Sequence, residues 1–311
     1  MAQVDIIVPS FQREGILGRC IASLLSQSFG DLRILCVVRE SDHATRAIVS
    51  EVQKSDPRLC GVVVGGPGFV AALNAGFAAS TAPFVAFTDD DAEAPTDWLK
   101  ILLGHFSSHP ECGAAGGPDR LQVGNPKFSN PPPAEKVGVY SWTGRWHASH
   151  HCPIRAEFLR VRILKGVNMA YRRDCIRDHK IGDGLKGGGA QVGTEQGLAA
   201  SVLRSGKQLH FLRDAWLLHH CAPRKKGDGR SEYLTQFAFD TTYNTAYTLW
   251  RYQHPALAAV VQLRSLLVGN RHVPGLLRLL AVPHKAGLAA KHFAPALSGA
   301  RDGWLARSKD P

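Results

Sequence analysis

The chain has 311 residues, of which 44% are hydrophobic and 20% are charged. This composition is ordinary for a globular protein, and it excludes an entirely disordered chain, a collagen-like repeat and a small disulfide scaffold. The formal net charge of +11 favours anionic partners (nucleic acid, acidic lipid or phosphorylated substrates) without choosing among them.

Cysteine usage and the N-terminal residues bear on the cellular compartment. The seven cysteines are scattered and include no Cys-x-x-Cys pair, which is typical of a reducing compartment. The first ten residues lack a basic stretch, and Pro9 interrupts their apolar run, so we expect no signal peptide. These features predict a cytoplasmic protein, with peripheral attachment to the inner face of the membrane as a further option.

One uncharged stretch is long enough to cross a membrane. Residues 61–88 carry no charge, and a membrane span needs about 20 apolar residues. The stretch also contains Pro67, Pro83 and five glycines, which favour a buried strand, a turn, a short helix and a second strand. We therefore expect no transmembrane helix.

The first third of the chain alternates two hydrophobic periodicities. Apolar runs typical of buried strands occur at 4–9, 32–38, 61–64 and 84–88. The predicted helices follow Ile16, Ser41 (as the N-cap), Phe69 and Pro95. This alternation predicts a parallel, doubly wound α/β sheet.

The pattern is looser after Gly117. We expect a long irregular excursion over 118–160, because the segment contains Pro131-Pro132-Pro133 and several aromatic residues. The later predicted elements are an extended segment at Arg162–Tyr171, a helix at Thr194–Ser205, an extended segment at Leu209–His219, a basic loop at Pro223–Arg230 and helices from Ser231 onward.

Three consecutive carboxylates, Asp89-Asp90-Asp91, follow the fourth predicted strand. Ligands of open α/β sheets bind beyond the carboxyl ends of strands, and adjacent carboxylates repel one another unless a cation is near. Mg²⁺ and Mn²⁺ prefer oxygen ligands, usually carboxylates together with substrate phosphates. The triplet predicts a site for a metal and a diphosphate, the alternative being an acidic turn that caps the next helix.

The region around this triplet carries several motifs in order. The first strand ends in Val8-Pro9-Ser10-Phe11-Gln12-Arg13, and the next helix carries Leu17, Cys20, Ser23-Leu24 and Gln27. Asn74-Ala75-Gly76 precedes the strand that leads into the aspartates, which are followed by Ala92-Glu93-Ala94-Pro95. This order and spacing resemble the nucleotide-binding half of family-2 glycosyltransferases, in which the acidic triplet matches the DxD motif.

The second half of the chain has three further matches to this family. Residues 166–173, Gly-Val-Asn-Met-Ala-Tyr-Arg-Arg, resemble the family segment that lines the donor sugar and the acceptor side. Glu195, eleven residues before Gly206, falls on the aspartate of the family's Glu-Asp motif. The family's late histidine, often a metal ligand, falls on His219.

The resemblance covers residues 4–220 and implies a GT-A fold, that is, a Rossmann-like, doubly wound, mostly parallel sheet. We expect the transferase domain at 1–230, with the nucleotide-sugar-binding half at 1–117 and the acceptor-side half at 118–230. A helical C-terminal extension is expected at 231–311.

The same resemblance implies a metal-dependent, inverting glycosyltransferase that acts in glycan, polysaccharide or glycolipid assembly. Asp91 is the predicted first metal ligand, Asp89 or Asp90 assists it, and His219 completes the shell of Mg²⁺ or Mn²⁺. Glu195 is the predicted catalytic base. The Gln-x-x-Arg-Trp motif of processive members does not occur in the sequence, which favours a single addition.

The expected donor is a nucleoside-diphosphate sugar. Its predicted contacts are Pro9, Ser10, Phe11, Arg13, Arg39, Glu40, Asp42, Asn74, Asp89, Asp90, Asn168, Arg224 and Arg230. Glu40 or Asp42 takes the place of the family's acid after the second strand. Because Leu73 replaces a family arginine, we expect Arg39 or the basic loop with Arg224 and Arg230 to contact the phosphates, the loop acting as a lid.

These roles have simpler structural alternatives. Glu195 also fits a first-turn acid that the helix dipole favours, and His219 fits a buried core histidine with His220 as the rival ligand. Asn168 fits a turn residue. The basic loop fits a solvated charged surface.

Two further features leave alternatives open. The tripeptide His-His-Cys occurs at 150–152 and 219–221; a shared zinc site is chemically available, but the spacing matches no structural zinc pattern. Residues 231–311 carry a net charge of +5 and several prolines. They fit either a helical subdomain packed on the core or a surface that binds an anionic membrane, where a lipid-linked acceptor resides.

Three other classes of protein compete with this interpretation. A nucleic-acid-binding protein fits the charge, but the sequence shows no helix-turn-helix, RNA-recognition or zinc-finger signature, and we expect no nucleic-acid partner. A sugar-nucleotide nucleotidyltransferase needs a glycine-rich basic loop after the first strand, whereas residues 10–18 hold Arg13 and two separated glycines. A non-catalytic relative is the remaining alternative.

Overall fold

The structure is a computed structural model that describes residues 2–122, 129–187, 191–221, 235–269, 275–277 and 286–307. Its main sheet has eight strands. They are β1 Val4–Ser10, β2 Leu32–Arg39, β3 Leu59–Val64, β4 Phe84–Phe87, β6 Cys112–Gly116, β10 Phe158–Val161, β11 Met169–Arg172 and β12 Gln208–Leu212. The strand order is β10-β12-β6-β11-β4-β1-β2-β3.

Most strands of this sheet run in one direction. β1 pairs in parallel with β2 and β4, β2 with β3, and β6 with β12. β11 is antiparallel to both β4 and β6, and β10 is antiparallel to β12. The predicted doubly wound, mostly parallel sheet is confirmed, since only β10 and β11 of these eight described strands are reversed.

Helices cover both faces of the sheet. They are α1 Leu17–Leu25, α2 His43–Ser55, α3 Phe69–Ala79, α4 Trp98–Ser108, α5 Thr194–Arg204, α6 Thr235–Tyr252, α7 Pro255–Leu267 and α8 Ala286–Ala306, with a 3₁₀ turn at Arg173–Cys175. Buried residues of α1, α2 and α4 form one core cluster. Buried residues of α3 and α5 form the cluster on the opposite face, as two-sided coverage of a parallel sheet requires.

A glycine sets the distance between α3 and the sheet. A Cβ atom at Gly76 would lie 2.6 Å from Ile7 Cγ2 and 2.9 Å from Val37 Cγ2. Such contacts are shorter than side chains tolerate in a close-packed interior. Glycine therefore lets the helix lie directly against β1 and β2.

Two small sheets complete the architecture. β5 Ala92–Glu93, β7 Asp119–Leu121 and β13 Leu217–His219 form a three-stranded sheet in which β13 is central. His219 pairs with Ala92 across β13 and β5, which brings it beside the acidic triplet. β8 Val139–Tyr140 and β9 Trp146–His147 form an antiparallel hairpin.

Three local expectations need correction. The N-cap of α2 is Asp42 rather than Ser41, because the Asp42 carboxylate accepts a hydrogen bond from the Thr45 amide. The segment Arg162–Tyr171 is a strand only at its end, in β11, because residues 162–168 loop back through a bridge between Lys165 and Asn168. The segment Leu209–His219 is divided between β12 and β13, which belong to different sheets.

The helical C-terminal region is present. α6 contacts α5 of the core, and α7 and α8 contact α6. The predicted domain boundary at residue 230 lies outside the described residues. Among the helices that the structure describes, none combines the length and apolarity needed to cross a membrane.

Candidate active site

The acidic triplet lies directly after β4, and its three side chains have different partners. Asp90 is buried and accepts a 2.7 Å hydrogen bond from Ser10 Oγ. Arg13 Nε lies 3.8 Å from the other oxygen of Asp90. Burial raises the pKa of Asp90 to about 7, although Ser10 and Arg13 both act to lower it. Asp90 thus joins the triplet to the end of β1.

Asp89 and Asp91 group instead with His219. One ligand atom from each of the three lies within 4.8 Å of the others, and His219 Nε2 is 3.3 Å from Asp91 Oδ1. Burial and the neighbouring charge of Asp91 raise the pKa of Asp89 to about 6. The structure therefore brings together the three residues that the sequence predicted as metal ligands.

The other face of His219 contacts Asp119, a residue that the sequence analysis missed. His219 Nδ1 lies 3.3 Å from Asp119 Oδ2, and Asp119 is completely buried. Burial alone would lower the pKa of His219, but the hydrogen bonds to Asp119 and Asp91 and the charges of Asp91 and Asp89 raise it to about 10. Asp119 directly follows the buried strand β6 and its Gly-Pro extension, so the rule that singled out Asp89–Asp91 would also have found it.

Lys165 is a second residue that the sequence analysis missed. Its ammonium group forms an ion pair with Asp119. Burial would raise the pKa of Asp119, but hydrogen bonds from His219 and Lys165 and the charge of Lys165 lower it overall. The charge of Lys165 also lowers the pKa of Asp89, so this cation lies close to the acidic cluster.

The donor set at this cluster suits a divalent cation. Two carboxylates and one imidazole are ligands that Mn²⁺ and Mg²⁺ accept. Asp119 contacts His219 Nδ1, and a carboxylate on the ring nitrogen that does not bind the metal is what commonly orients a metal-bound histidine. The buried Asp119 Oδ1 has no hydrogen-bond partner among the described residues. Burial, and to a smaller extent the charge of Asp91, raises the pKa of Asp89, and a bound cation would offset both effects. We conclude that these residues fit a divalent cation.

Glu195 also lies near the acidic cluster. It is in the first turn of α5, which begins after Gly193 with a φ of +105°. A Cβ atom at Gly166 would lie 3.1 Å from Glu195 Oε1, so the carboxylate borders the loop before β11. The charge of Glu195 is among the smaller causes that raise the pKa of Asp89, so the two carboxylates are near enough to interact electrostatically.

A stacked pair lies at the ends of β1 and β2. The guanidinium carbon of Arg39 is 3.9 Å from the centroid of the Phe11 ring, and Phe11 remains 40% exposed. Pro9 precedes this pair in β1, and the exposed Glu40 follows it. These residues present an aromatic and cationic surface at the carboxyl edge of the sheet.

Other predicted donor contacts are engaged within the protein. Asp42 caps α2 and also accepts a hydrogen bond of 2.5 Å from the Gln12 amide. The Asn74 amide group bonds to the backbone of Val70 and Ile181. These two side chains therefore connect backbone segments of the protein to one another.

Asn168 is also held by bonds within the protein. It is 1% exposed, its Nδ2 donates to Ala215 O at 2.7 Å and its Oδ1 accepts from Trp98 Nε1 at 3.1 Å. Asn168 therefore holds the loop that leads to β13 and His219. Its amide faces the protein interior, which supports a positioning role.

Three predicted residues remain, Arg224, Arg230 and His220. Arg224 and Arg230 lie outside the described residues. His220, the rival metal ligand, has its Nε2 only 2.6 Å from Glu93 Oε1 and lies outside the Asp89–Asp91–His219 cluster.

Among the described residues, no cluster of potential metal ligands joins the His-His-Cys tripeptide at 150–152 to the one at 219–221. A second cluster of potential ligands consists of His105, Cys112 and His210, and includes none of the His-His-Cys residues. His105 Nε2 and His210 Nδ1 are 2.8 Å apart, so the two rings already satisfy each other by hydrogen bonding.

Solved structures with the same architecture define the class of fold. The mannosyltransferase PcManGT from Pyrobaculum calidifontis, in complex with GDP-Man and Mn²⁺, superposes with a TM-score of 0.58 at 17% identity, over 97% of this chain and 87% of that one. S. aureus TarS 1-349 in complex with UDP-GlcNAc gives a TM-score of 0.54 at 13% identity, over 100% of this chain and 93% of that one. The fold is that of a GT-A glycosyltransferase.

The sequence itself identifies the family. The family model for glycosyl transferase family 2 matches residues 5–179, more than half of the chain. The chain belongs to glycosyl transferase family 2, as its motifs predicted.

Curated relatives match only part of this chain. The GalNAc(5)-diNAcBac-PP-undecaprenol beta-1,3-glucosyltransferase of Campylobacter jejuni is 32% identical over 33% of this chain and 34% of its own length. The glucosyl-dolichyl phosphate glucuronosyltransferase of Haloferax volcanii is 23% identical over 56% of this chain and 53% of its own length. The matches thus span about a third to a half of these relatives.

Proposed function

We propose that the protein is a metal-dependent, inverting glycosyltransferase that moves one sugar from a nucleoside-diphosphate donor to an acceptor hydroxyl. The observation that carries this proposal is the grouping of Asp89, Asp91 and His219 at the carboxyl edge of the sheet, with Glu195 close enough to act on the pKa of Asp89. Ligands of open α/β folds bind at that edge.

Asp89, Asp91 and His219 would hold the divalent cation, Mg²⁺ or Mn²⁺. When bound, such a cation neutralises the charge that develops on a diphosphate leaving group. Asp119 keeps the His219 ring oriented toward Asp91 through its contact with Nδ1. Lys165, which pairs with Asp119 beside the cluster, supplies a second positive charge for the diphosphate.

Glu195 is the proposed catalytic base. The acceptor oxygen attacks the anomeric carbon, the bond from that carbon to the diphosphate oxygen breaks, and the acceptor proton passes to the Glu195 carboxylate. A single displacement of this kind inverts the anomeric configuration. A positioned base typically contributes about 10²–10⁴-fold in rate.

The nucleotide would lie along the ends of β1 and β2. Phe11 and Arg39 offer a stacking surface for the base. Ser10 and Arg13 hold Asp90 in place at the neighbouring strand end. Arg224 and Arg230 are proposed to close over the diphosphate, which would exclude water and limit donor hydrolysis.

The proposed acceptor is a lipid-linked glycan at the inner face of an anionic membrane. The Campylobacter and Haloferax relatives carry undecaprenol and dolichyl phosphate in their names, which supports this acceptor class here. The protein would then act from the cytoplasm in polysaccharide or glycolipid assembly.

The test combines donor binding with turnover. UDP-, GDP- and dTDP-sugars are screened by thermal shift with and without Mn²⁺, since a ligand that binds the folded state raises its melting temperature. We expect one nucleotide to give a Mn²⁺-dependent shift that Asp91→Asn abolishes. Glu195→Gln should keep the shift and lose turnover by about 10²–10⁴-fold.

Asp214→Asn is the matched control, because Asp214 is an exposed acid paired with its neighbour Arg213 and should leave both measurements unchanged. A folded wild-type protein that binds no donor would refute the proposal in favour of a non-catalytic relative. Release of a nucleoside triphosphate from sugar nucleotide and pyrophosphate would instead identify a nucleotidyltransferase.

A further inference from the structure

The solvent-facing side of α7 is apolar. Ala256, Ala259, Val260 and Leu263 are all exposed, Val260 by 39% and Leu263 by 59%. Their spacing of three and four residues places them on one face, while Ala258 and Val261 are buried on the other. A surface helix of a globular protein normally carries polar residues on its solvent face.

An exposed tryptophan lies next to this helix. Trp142, in the turn of the β8–β9 hairpin, is 88% exposed. The same turn is fixed against α7, because a Cβ atom at Gly144 would lie 3.0 Å from Val260 O. Two residues span at most about 7 Å of backbone, so the backbone of Trp142 lies near the point where the turn meets α7. We refer to Trp142, Ala256, Ala259, Val260 and Leu263 as the hairpin–helix surface.

Positive charge flanks this surface. Residues 135–147 and 255–269 contain the three cations Lys136, Arg145 and Arg264 and one acidic residue, Glu135. Arg145 is exposed in the hairpin turn beside Trp142. An aromatic residue with apolar neighbours and flanking cations is the composition of segments that lie in the interface of anionic membranes.

The hairpin stands close to the proposed active site. The backbone amide of Gly138, before β8, donates to His147 O, and the amide of Asp119 donates to His150 O just after β9. Asp119 in turn contacts His219. The base of the hairpin is therefore connected through Asp119 to the histidine of the acidic cluster.

We propose that the hairpin–helix surface docks on an anionic phospholipid bilayer, with the indole of Trp142 and the side chain of Leu263 entering the interface. This inference rests on the proposed function, because the bilayer is the place where a lipid-linked acceptor would reach Glu195. Docking would confine the protein's diffusion toward a lipid-linked acceptor to the membrane surface.

The test is co-sedimentation of the full chain with vesicles. Wild-type protein should bind phosphatidylcholine vesicles that contain phosphatidylglycerol, and it should bind more weakly at high salt because charge attraction is screened. The double variant W142S/L263S should lose about tenfold or more of its partitioning. Val63→Ser is the matched control: Val63 is a 53% exposed apolar residue on β3, at the far end of the sheet.

Three results would overturn the docking proposal. They are equal partitioning of W142S/L263S and wild type, equal loss in Val63→Ser, and a wild-type dimer that becomes monomeric in W142S/L263S while neither binds vesicles. The last result would identify the surface as an interface between two copies. Metal-dependent donor binding, measured without vesicles, tests the proposed function separately, since W142S/L263S should leave it unchanged.

Discussion

Asp119→Asn tests whether the buried carboxylate behind His219 tunes the proposed metal site. Asparagine keeps the shape of the side chain but removes the charge that faces His219 Nδ1 at 3.3 Å and the ammonium group of Lys165. Loss of such a carboxylate behind a metal-bound histidine typically costs about 10–100-fold in metal affinity. That factor corresponds to about 1.4–2.7 kcal/mol of binding free energy.

The same substitution should lower the free energy of unfolding by less than the disruption of a fully buried ion pair does. The removal of one partner from such a pair costs about 3–5 kcal/mol. Lys165, however, is 41% exposed, so its ammonium group can turn to water when Asp119 loses its charge. We expect Asp119→Asn to fold, with a loss below about 3 kcal/mol.

The assay is calorimetric titration of Mn²⁺ together with donor turnover as a function of Mn²⁺ concentration. In Asp119→Asn, the half-saturating concentration should rise about 10–100-fold, while turnover at saturating Mn²⁺ stays within a few-fold of wild type. Asp214→Asn should behave as wild type. An unchanged Mn²⁺ affinity in folded Asp119→Asn would refute the reasoning that Asp119 orients His219.

Three further predictions concern the scaffold. Burial lowers the pKa of His150 from its ordinary 6.5 to about 4. As the pH falls, the unfolded chain therefore binds a proton at this residue before the folded protein does. The folded state is thus destabilised progressively between pH 6.5 and pH 4, relative to its stability above pH 6.5. Denaturant unfolding should show a loss of about 2 kcal/mol from this group between pH 6.5 and about pH 5, which His150→Gln should remove. Gly76→Ala should destabilise the fold by about 1–3 kcal/mol through overpacking. The control is Gly104→Ala, in a helix where an added Cβ meets nothing within 4 Å, and it should stabilise the fold by up to about 1 kcal/mol. Equal shifts in melting temperature for the two variants would contradict the packing argument. Asn168→Ala leaves the buried Trp98 indole N–H without its hydrogen-bond acceptor. It should lower the free energy of unfolding by about 1–3 kcal/mol and weaken Mn²⁺ binding. Wild-type stability in this variant would show that the buried amide is dispensable.

The cluster of Asp89, Asp91 and His219, the proposed metal ligands, shows how much of the site the sequence could predict. Asp89 and Asp91 follow a continuous apolar strand, and such strands end at the ligand-binding edge of a parallel sheet. His219 was assigned by its place in the motif order, and the structure brings it beside both carboxylates. The sequence analysis did not single out Asp119, although the same strand-end rule applies to it, because Asp119 is one acid after a short strand and not part of a run of carboxylates.

The two asparagines mark the limit of motif reasoning. Asn74 and Asn168 match family positions, yet their amides are engaged by backbone groups far away in the chain, at Ile181 and Ala215. A polar side chain that the fold buries must find partners there. The sequence shows that an amide occurs at these positions but not which backbone groups surround it.

The sequence by itself determined the alternation of strands and helices, the acidic turn after β4 and the family, because hydrophobic periodicity and motif spacing are local properties of the chain. Only the tertiary structure decided that Asp90 turns to Ser10 while Asp89 and Asp91 turn to His219. It also decided that Asp119 and Lys165 lie behind that histidine. The physical reason is that these contacts join residues 46 to 130 positions apart. Their pairing depends on the crossovers of the sheet and on which charges become buried together.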